Sequence, residues 1–468
     1  MDLGVALALI MFAVFLVMIL VGYNVAFSFA ATAALFSFIG DLTGTFDPSA
    51  LNVLPGRWFQ AVSDPTLLAV PFFVLMGAIL ERSGMAERLL NAIGMVLGPI
   101  KGGVAAAVVL VGTLLAAATG VVAATVIVMG LLSLPTMIRL GYNHKLATGV
   151  IVGSGTLAQL LPPSLVLILL AQQMGVGILG LFASALIPGL ILSGLYATYA
   201  VGISYLRPGM GPAMPREERI LTGKVLALEV LFSVVPILLL IVGVLTAIFQ
   251  GVATPSESGA VGVFGALLLA VLAFWSDKIL VRAGASNITP RWRLTAQAMK
   301  EAARSTANIS ILVMTLLFAS SFFSLMFLSL GGADATADFL AGVGGGKVGF
   351  VLVAMLAVFL LGINLEFIEI TFIVVPIFIP AMDALGFSVQ ERLWFTVLMA
   401  VNLNIAFISP PVGFSLFYLQ SVAPPEVKTS DIHKGAIPFM VLQGLALLVL
   451  GFFPEVVQAS FDLFVPGG

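Results

Sequence analysis

The chain has 468 residues, of which 60% are hydrophobic and 9% are charged, and its mean hydropathy is +1.18. Soluble domains carry about a quarter charged residues, so the composition excludes an ordinary soluble protein. The net charge of −2 gives no nucleic-acid signature, and the lack of cysteine excludes disulfides and thiolate chemistry. We therefore expect an all-α polytopic membrane protein.

Apolar runs of about 20 residues, the length that crosses a bilayer core, recur along the chain. The first run follows Asp2 without a preceding basic residue, which favours a retained span over a signal peptide. We predict ten spans, at about 4–21, 25–40, 66–80, 145–172, 177–204, 226–248, 258–276, 305–330, 391–420 and 436–456. Two longer apolar stretches have polar or glycine residues at their centres and are predicted as re-entrant helical hairpins, 103–138 and 348–385.

The distribution of basic residues predicts which side of the membrane each loop occupies. Of the 20 lysines and arginines, only Arg57, Lys347 and Arg392 fall on the less basic side. Because the cytoplasmic side of a membrane protein carries the excess of basic residues, both termini are predicted to lie outside the cytoplasm.

Two segments about 245 residues apart contain the same pattern of residues, including those that interrupt helices. Pro, Met, Gly and an aromatic residue recur at identical spacing in 134–142 and 379–387, and a double proline follows each segment. The layout therefore predicts two inverted repeats, 1–204 and 226–456, joined by a cytoplasmic linker at 205–225 and followed by a tail at 457–468. Such repeats place a transporter's site near the bilayer midplane, where hairpin tips face broken helices. The chain is predicted to move a solute.

The polar residues at the tips and breaks are candidate ligands for a cation. Oxygen ligands without thiolate and almost without imidazole suit a hard cation, and we favour sodium because it needs no strongly charged cage. The predicted sodium ligands are Thr119, Gly120, Val121, Ser154, Gly155 and Thr156 in the first half, and Gly362, Asn364, Asn402 and Asn404 in the second. Glycine and hydroxyl groups also permit close helix packing. Their coincidence with double proline at two related places favours the cation site over packing alone.

Two carboxylates lie within the second apolar hairpin. Ionised side chains at membrane depth are costly and usually functional. Glu366 at the tip can orient a cation or cap a helix, whereas Glu369 can bind a proton, form a structural hydrogen bond or repel a wrong substrate. We favour a neutral Glu369, since desolvation disfavours the charged form.

A basic loop at 277–304 contains an amphipathic piece at 292–304. This piece fits an interfacial helix or a solvated connector equally well.

At these motifs the sequence resembles the large membrane subunit, the DctM-like M subunit, of tripartite ATP-independent periplasmic (TRAP) transporters. The segments that carry the resemblance span nearly the whole chain and are 71–77, 147–157, 162–164, 375–376 and 401–413. The stretch 367–370 suggests the branch named for mannitol or chloroaromatic compounds, with relatives for 2-oxo acids and lactate.

The resemblance implies an ion-transporter-superfamily elevator that couples uptake of a small organic acid to sodium. It also implies two protein partners, a small four-helix membrane subunit (Q-type) on a separate chain and a periplasmic substrate-binding protein (P-type). No cofactor other than the coupling ions is expected. Residues assigned to substrate binding or gating are Thr125, Pro162, Glu366, Glu369, Ser409 and Pro410. Thr125 and Glu366 replace aspartates that are common in the family, so ion stoichiometry does not carry over.

Three other functions are weaker. A stand-alone symporter or antiporter of the same architecture would work without a binding protein. An intramembrane enzyme lacks support because the sequence has no His-Glu-x-x-His motif, no cysteine and no histidine within a predicted span. A purely structural scaffold would not need two broken helices.

Overall fold

The computed structural model describes residues 2–219, 223–282, 292–342 and 344–465, and within these ranges all regular structure is helical. The first half contains α1 Leu3–Val21, α2 Val25–Thr43, α3 Leu54–Ser63, α4 Pro65–Arg82, α5 Met85–Leu97, α6 Gly103–Thr119, α7 Val122–Arg139, α8 His144–Thr156, α9 Leu165–Met174 and α10 Ile178–Leu206. The second half contains α11 Gly223–Phe249, α12 Pro255–Arg282, α13 Ala296–Ser329, α14 Gly332–Gly342, α15 Gly346–Gly362, α16 Phe367–Ala384, α17 Val389–Phe407, α18 Phe414–Val422, α19 Thr429–Phe452 and α20 Glu455–Phe464.

Ten described helices are long and apolar enough to cross a membrane, which confirms the all-α polytopic class. Their membership differs from the ten predicted spans. The arms α7 and α16 of the two hairpins qualify by length, whereas the predicted spans 145–172 and 391–420 are each divided into two shorter helices. The side of the membrane on which each end lies stays a prediction.

Short helices between the spans are the main difference from the sequence prediction. Helices α3, α5, α14 and α20 are too short to cross a bilayer, and a search for runs of about 20 apolar residues does not detect them. Helix α20 occupies most of the predicted tail 457–468 and packs on α10, where Ser460 Oγ bonds to Ala183 O and accepts from Ile187 N at 3.3 Å. The last residues, 466–468, lie outside the described part.

The amphipathic segment 292–304 is neither a separate interfacial helix nor a connector along most of its length. From Ala296 it is the beginning of α13, whose N-terminus is capped by Thr295 Oγ1 accepting from Ala298 N at 3.2 Å. At 1.5 Å per residue, α13 is about 51 Å long, well beyond a hydrocarbon core of about 30 Å. The polar start of this helix therefore extends past the core.

Helices from the two halves exchange contacts in matching pairs. Helix α4 packs on α12 as α2 packs on α13, and α9 packs on α16 as α18 packs on α7. Within each half, the first hairpin arm packs on the first part of the broken helix, α6 on α8 and α15 on α17. This pattern is what two related halves would produce, and the inverted relation between them stays a prediction.

The linker lies against the base of the first hairpin instead of projecting away. Backbone hydrogen bonds join Gly102 N to Gly211 O at 2.9 Å, Asn143 N to Met210 O at 3.0 Å and Met214 N to Gly98 O at 2.8 Å. Because these bonds fix the described part of the linker, it forms a packed connection between the halves.

A buried ion pair joins α5 to α11 and α12. The Arg88 guanidinium donates to both carboxylate oxygens of Glu229, at 2.9 and 2.7 Å, and to Ala273 O at 3.1 Å. It also donates to Ser276 Oγ, and Asp277 Oδ1 lies 3.5 Å away. The Arg88 and Glu229 side chains are 10% and 4% exposed, so neither charge can be rehydrated without moving a helix.

Loss of Arg88 should therefore destabilise the protein severely. Removing one partner of a buried pair costs about 3–5 kcal/mol, whereas replacing both with apolar residues is often close to neutral. Thermal unfolding in detergent should show a large drop for Arg88→Met and a smaller drop for Glu229→Met, which leaves Asp277 beside the guanidinium. The double variant should be more stable than Arg88→Met alone. Equal losses in all three variants would contradict this account.

Candidate functional site

The first hairpin turns at the predicted tip. Helix α6 ends at Thr119, Gly120 adopts a left-handed conformation with φ of +61°, and α7 begins at Val122. Thr119 Oγ1 lies 2.9 Å from Thr125 Oγ1, which also donates to Val121 O at 3.1 Å. Both threonines are buried, so the tip is a compact turn lined with hydroxyl oxygens.

This tip lies against the break in the neighbouring helix. Helix α8 ends at Thr156, a 3₁₀ turn covers Leu157–Gln159, and α9 begins at Leu165 after the cis peptide Pro162–Pro163. A Cβ on Gly120 would lie 3.0 Å from Leu165 N and 3.3 Å from Pro163 O. The missing side chain therefore lets backbone from the tip and backbone from the break approach directly.

Small residues set α8 deep between its neighbours. A Cβ on Gly112 of α6 would lie 2.4 Å from Ser154 Oγ, and one on Gly155 would lie 2.3 Å from a methyl carbon of Val126 on α7. On the other side, a Cβ on Gly153 would lie 2.6 Å from the Phe439 ring of α19. Close packing thus explains part of the glycine content, as the alternative interpretation expected. Ser154 Oγ donates within its own helix, to Val150 O at 2.7 Å.

The second hairpin turns at 363–366, between α15 and α16. A Cβ on Gly362 would lie 2.5 Å from Ala406 Cβ, so this tip also packs on the broken helix of its own half, α17. Asn364, a predicted sodium ligand, lies at the turn with an exposed side chain. Its backbone N–H donates to Leu361 O at 3.1 Å.

The two carboxylates of this hairpin lie at the start of α16. Glu369 Oε2 accepts from Glu366 N at 3.0 Å, which caps the helix, and the Tyr418 hydroxyl of α18 donates to Glu366 Oε1 at 3.4 Å. A helix N-terminus stabilises negative charge. The contact gives Glu369 a structural hydrogen bond, one of the roles considered from the sequence, and its charge stays a prediction.

The second break contains the most conspicuous polar side chain. Helix α17 ends at Phe407 and α18 begins at Phe414, with a cis peptide between Pro410 and Pro411. Asn402 Nδ2 donates to Met355 O of α15 at 2.6 Å, and Ser409 Oγ donates to Ile405 O at 2.7 Å. Asn404 is fully buried, yet neither polar atom of its amide has a partner among the described residues.

A buried amide without hydrogen bonds is costly, which is why nearly all such groups have partners. Thr156, at the equivalent place in the first half, is satisfied: its hydroxyl donates to Gly153 O at 2.9 Å and accepts from Gln443 Nε2 of α19 at 3.2 Å. The structure therefore distinguishes two residues that the sequence treats alike. Of the two, Asn404 is the residue whose polar atoms have no partner in the described part of the chain and whose oxygen is available to a ligand.

Sequence reasoning missed Gln159 and Gln443. Both side chains are fully buried. The Oε1 atom of each, and also Nε2 of Gln159, has no hydrogen-bond partner in the described structure. Gln159 lies in the 3₁₀ turn of the first break, and Gln443 contacts that break from α19. An amide inside an apolar run was the available signal in both cases.

Each half thus brings its own tip and break together, and the halves interlock through α9 on α16 and α18 on α7. At the latter contact, a Cβ on Gly130 would lie 2.9 Å from methyl carbons of Leu419 and Val422. No group of three His, Asp or Glu side chains in the described ranges could hold a metal ion. A cation at these sites would be held mainly by neutral oxygens, and the second tip also carries the carboxyl group of Glu366.

One protein-family model matches nearly the whole chain. The model of the DctM component of tripartite ATP-independent periplasmic transporters matches residues 12–456. The chain belongs to this family. Members are permeases and not enzymes, and a large permease of this kind works with a small membrane subunit and a periplasmic binding protein. Family membership makes the chain a multi-pass membrane protein of a bacterial transporter family, consistent with the inner membrane.

Named relatives of the DctM family cover nearly the whole chain. The C4-dicarboxylate large permease DctM of Pseudomonas aeruginosa is 27% identical and aligns over 88% of this chain and 90% of its own length. The ectoine large permease TeaC of Halomonas elongata is 26% identical, over 97% and 99%. The sialic acid large permease SiaM of Vibrio cholerae is 24% identical, over 96% and 96%. These names span three substrate classes, so the branch suggested by 367–370 stays a prediction.

Two solved transporters share the fold at low sequence identity. YdaH of Alcanivorax borkumensis superposes with a TM-score of 0.53 at 15% identity, covering 88% of this chain and 90% of that one. MtrF of Neisseria gonorrhoeae gives 0.54 at 16% identity, covering 86% and 83%. The similarity supports the helical transporter architecture of this DctM-family chain and no more.

The close approach of α4 to the first tip generates a test with a matched control. A Cβ on Gly77 would lie 2.5 Å from Thr119 Cα, whereas one on Gly94 of α5 meets nothing within 4 Å. Gly77→Ala should displace the tip backbone and lower both thermal stability and transport. Gly94→Ala should stabilise the protein by roughly 0.5–1 kcal/mol, because alanine restricts the unfolded chain and favours helix. Equal behaviour of the two variants would show that α4 does not constrain the tip.

Proposed function

We propose that this permease imports a small organic acid that its periplasmic binding protein delivers. A sodium gradient drives the uptake. The coupling ions bind at the two places where a hairpin tip meets a broken helix. The hairpins and broken helices move as a unit against the remaining helices, in an elevator mechanism.

The observation that carries the proposal is the buried, unpartnered amide of Asn404 beside a helix break. Broken helices expose backbone carbonyls at membrane depth, where they can coordinate a cation. The Asn404 oxygen adds a side-chain ligand at the same place, and its desolvation cost would be offset by a bound cation. Sodium suits such a site better than a metal ion that prefers nitrogen or sulfur ligands.

The arrangement of helices supports the moving parts. Each tip packs on its own broken helix, and each broken helix packs on the hairpin of the other half, so these elements form one interlocked group. Helices α2 and α4 contact α13 and α12 across the halves, and the set includes α13, the longest described helix. They supply a frame against which the group can move.

Reconstitution tests the coupling. The permease and its small membrane subunit are reconstituted into proteoliposomes, and the loaded binding protein is added outside. Uptake of the ligand that copurifies with the binding protein is then measured. Uptake should require an inward sodium gradient and no ATP. Uptake that persists without sodium under a pH gradient would replace sodium by protons. Uptake of free ligand without the binding protein would favour the stand-alone symporter.

Asn404 and Thr156 should respond differently to apolar replacement. Asn404→Leu removes an uncompensated polar group together with the proposed ligand, so the sodium-free protein should be no less stable, while the sodium-induced rise in Tm disappears. The sodium concentration for half-maximal transport should rise about tenfold, the effect of losing about 1.4 kcal/mol of ion binding. Thr156→Val should have a smaller effect on sodium affinity, because its hydroxyl is already bonded.

Thr371→Val provides the matched control for both variants. Its hydroxyl is buried in the second hairpin and donates to Phe367 O at 2.8 Å within the same helix. This variant should retain wild-type sodium dependence. If Asn404→Leu also retains it, Asn404 is a packing residue and the proposed site lacks its side-chain ligand.

A further inference from the structure

A polar cavity lies between two groups of helices, and none of its lining residues belongs to either hairpin tip. Its volume is about 400 Å³, within the range of small-molecule sites. One wall is formed by α3 and α13, and the other by the C-terminal end of α9 and by α16 at Pro376. Its polar lining includes Arg57, Asp64, Gln172, Gln173, Ser321 and Ser324.

Arg57 is the unusual member of this lining. Of the three basic side chains predicted on the periplasmic side, Lys347 is paired with Glu391 at 2.6 Å and Arg392 is paired with Asp383. The Arg57 guanidinium has neither an ion pair nor a hydrogen bond with any described residue. It is therefore the one basic side chain of that face whose charge is not committed within the described chain.

The helix that carries Arg57, whose side chain is exposed, is fixed at this wall by its neighbour. Its neighbour Trp58 donates from Nε1 to Ser321 Oγ of α13 at 2.8 Å and packs on Phe318, with the ring centroids 5.5 Å apart. These contacts fix α3 on α13. The other charged group, Asp64, accepts from Thr66 N at 2.8 Å, so its carboxylate is bonded to the N-terminus of α4, where the helix dipole offsets negative charge.

The opposite wall offers amides with unused capacity. Gln173 Nε2 donates to Gln172 Oε1 at 2.7 Å, which leaves the Gln172 amino group and the Gln173 oxygen free to bind a ligand. A guanidinium facing amides and serines is well suited to a carboxylate with further hydroxyl or oxo groups, since arginine binds carboxylate oxygens in pairs.

We propose that this cavity is the periplasmic receiving site for the substrate, and that Arg57 binds the substrate's carboxylate there before it reaches the hairpin tips. This inference rests on the proposed uptake of an organic acid. The site contacts both the proposed frame and the proposed moving group, so an anion bound in it is positioned at the boundary between them.

The test exploits the absence of cysteine from the chain, which makes every single-cysteine variant uniquely labelled. Ser324→Cys places a thiol on the wall formed by α13. In intact vesicles, its reaction with an anionic, membrane-impermeant sulfonate methanethiosulfonate is compared with its reaction with the cationic trimethylammonium analogue. The anionic reagent should be favoured about tenfold more with Arg57 present than with Arg57→Gln, because one nearby charge acts on the two reagents in opposite directions.

Two variants control this measurement. Arg57→Lys should restore the preference, since it restores the charge, and Ser49→Cys on the exposed 3₁₀ turn 48–53 should give the same ratio with or without Arg57. A ratio at Ser324→Cys that ignores Arg57, or labelling only from the cytoplasmic side, would overturn the receiving site.

Transport separates this proposal from the sodium proposal. Arg57→Gln should raise the KM for loaded binding protein several-fold, while the sodium concentration for half-maximal transport stays at the wild-type value. Arg392→Gln, which removes a charge from the same predicted face outside the cavity, should leave KM unchanged. Equal KM effects in both variants would assign Arg57 to general charge attraction. Loss of sodium dependence with normal labelling would refute only the coupling.

Discussion

Two helices of this chain stop and restart inside the protein, and the backbone there cannot rely on bulk water. Non-helical backbone at membrane depth is tolerated only where protein or a cavity covers it. Here the cover is another piece of interrupted backbone, the hairpin tip of the same half. Much of the rest of the architecture provides the close approach that this mutual cover requires.

Glycine makes that approach possible, and it does so at particular contacts. Gly362 lies against Ala406 and Gly112 against Ser154, each closer than a Cβ would permit, and a Cβ on Gly120 would be tightly packed against Leu165. One polar group is also shared between elements, since Asn402 bonds to α15. This mutual cover supports the proposal that each tip moves together with its break, whereas the α5 ion pair belongs to a different set of contacts.

The positions of tips and breaks could be read from the sequence because each is marked locally. Glycine with polar oxygens interrupts an apolar run at 118–122 and 361–366, and double proline ends the helical pattern at 162 and 410. The short helices α3, α5, α14 and α20 were not predicted, because each is shorter than the apolar run of about 20 residues on which the prediction relied. Neither interpretation of 292–304, an interfacial helix or a solvated connector, anticipated that from Ala296 a polar first turn and an apolar span belong to one long helix.

Tertiary partners could not be predicted in the same way. Thr156 and Asn404 have matching places in the sequence, but Gln443, 287 residues beyond Thr156, satisfies only the former. Nothing in the local pattern of α19 indicates which break its glutamine reaches. The same holds for Arg57, whose lack of a partner among the described residues depends on where the fold places the carboxylates. Whether a polar side chain can bind a ligand is a property of the whole fold, since it depends on whether another part of the chain already provides its hydrogen-bond or ion-pair partner.

The two tip regions share a geometry but differ in chemistry. The first is lined by neutral hydroxyls, Thr119 and Thr125, whereas the second has Glu366 within reach of Tyr418 and Glu369 capping the same helix. A neutral site must hold a cation by dipoles alone, while a nearby carboxylate adds a charge that strengthens binding in a poorly hydrated place. In the proposed mechanism, an ionised Glu366 would make the second tip hold a cation more tightly than the first, although the two tips share one geometry.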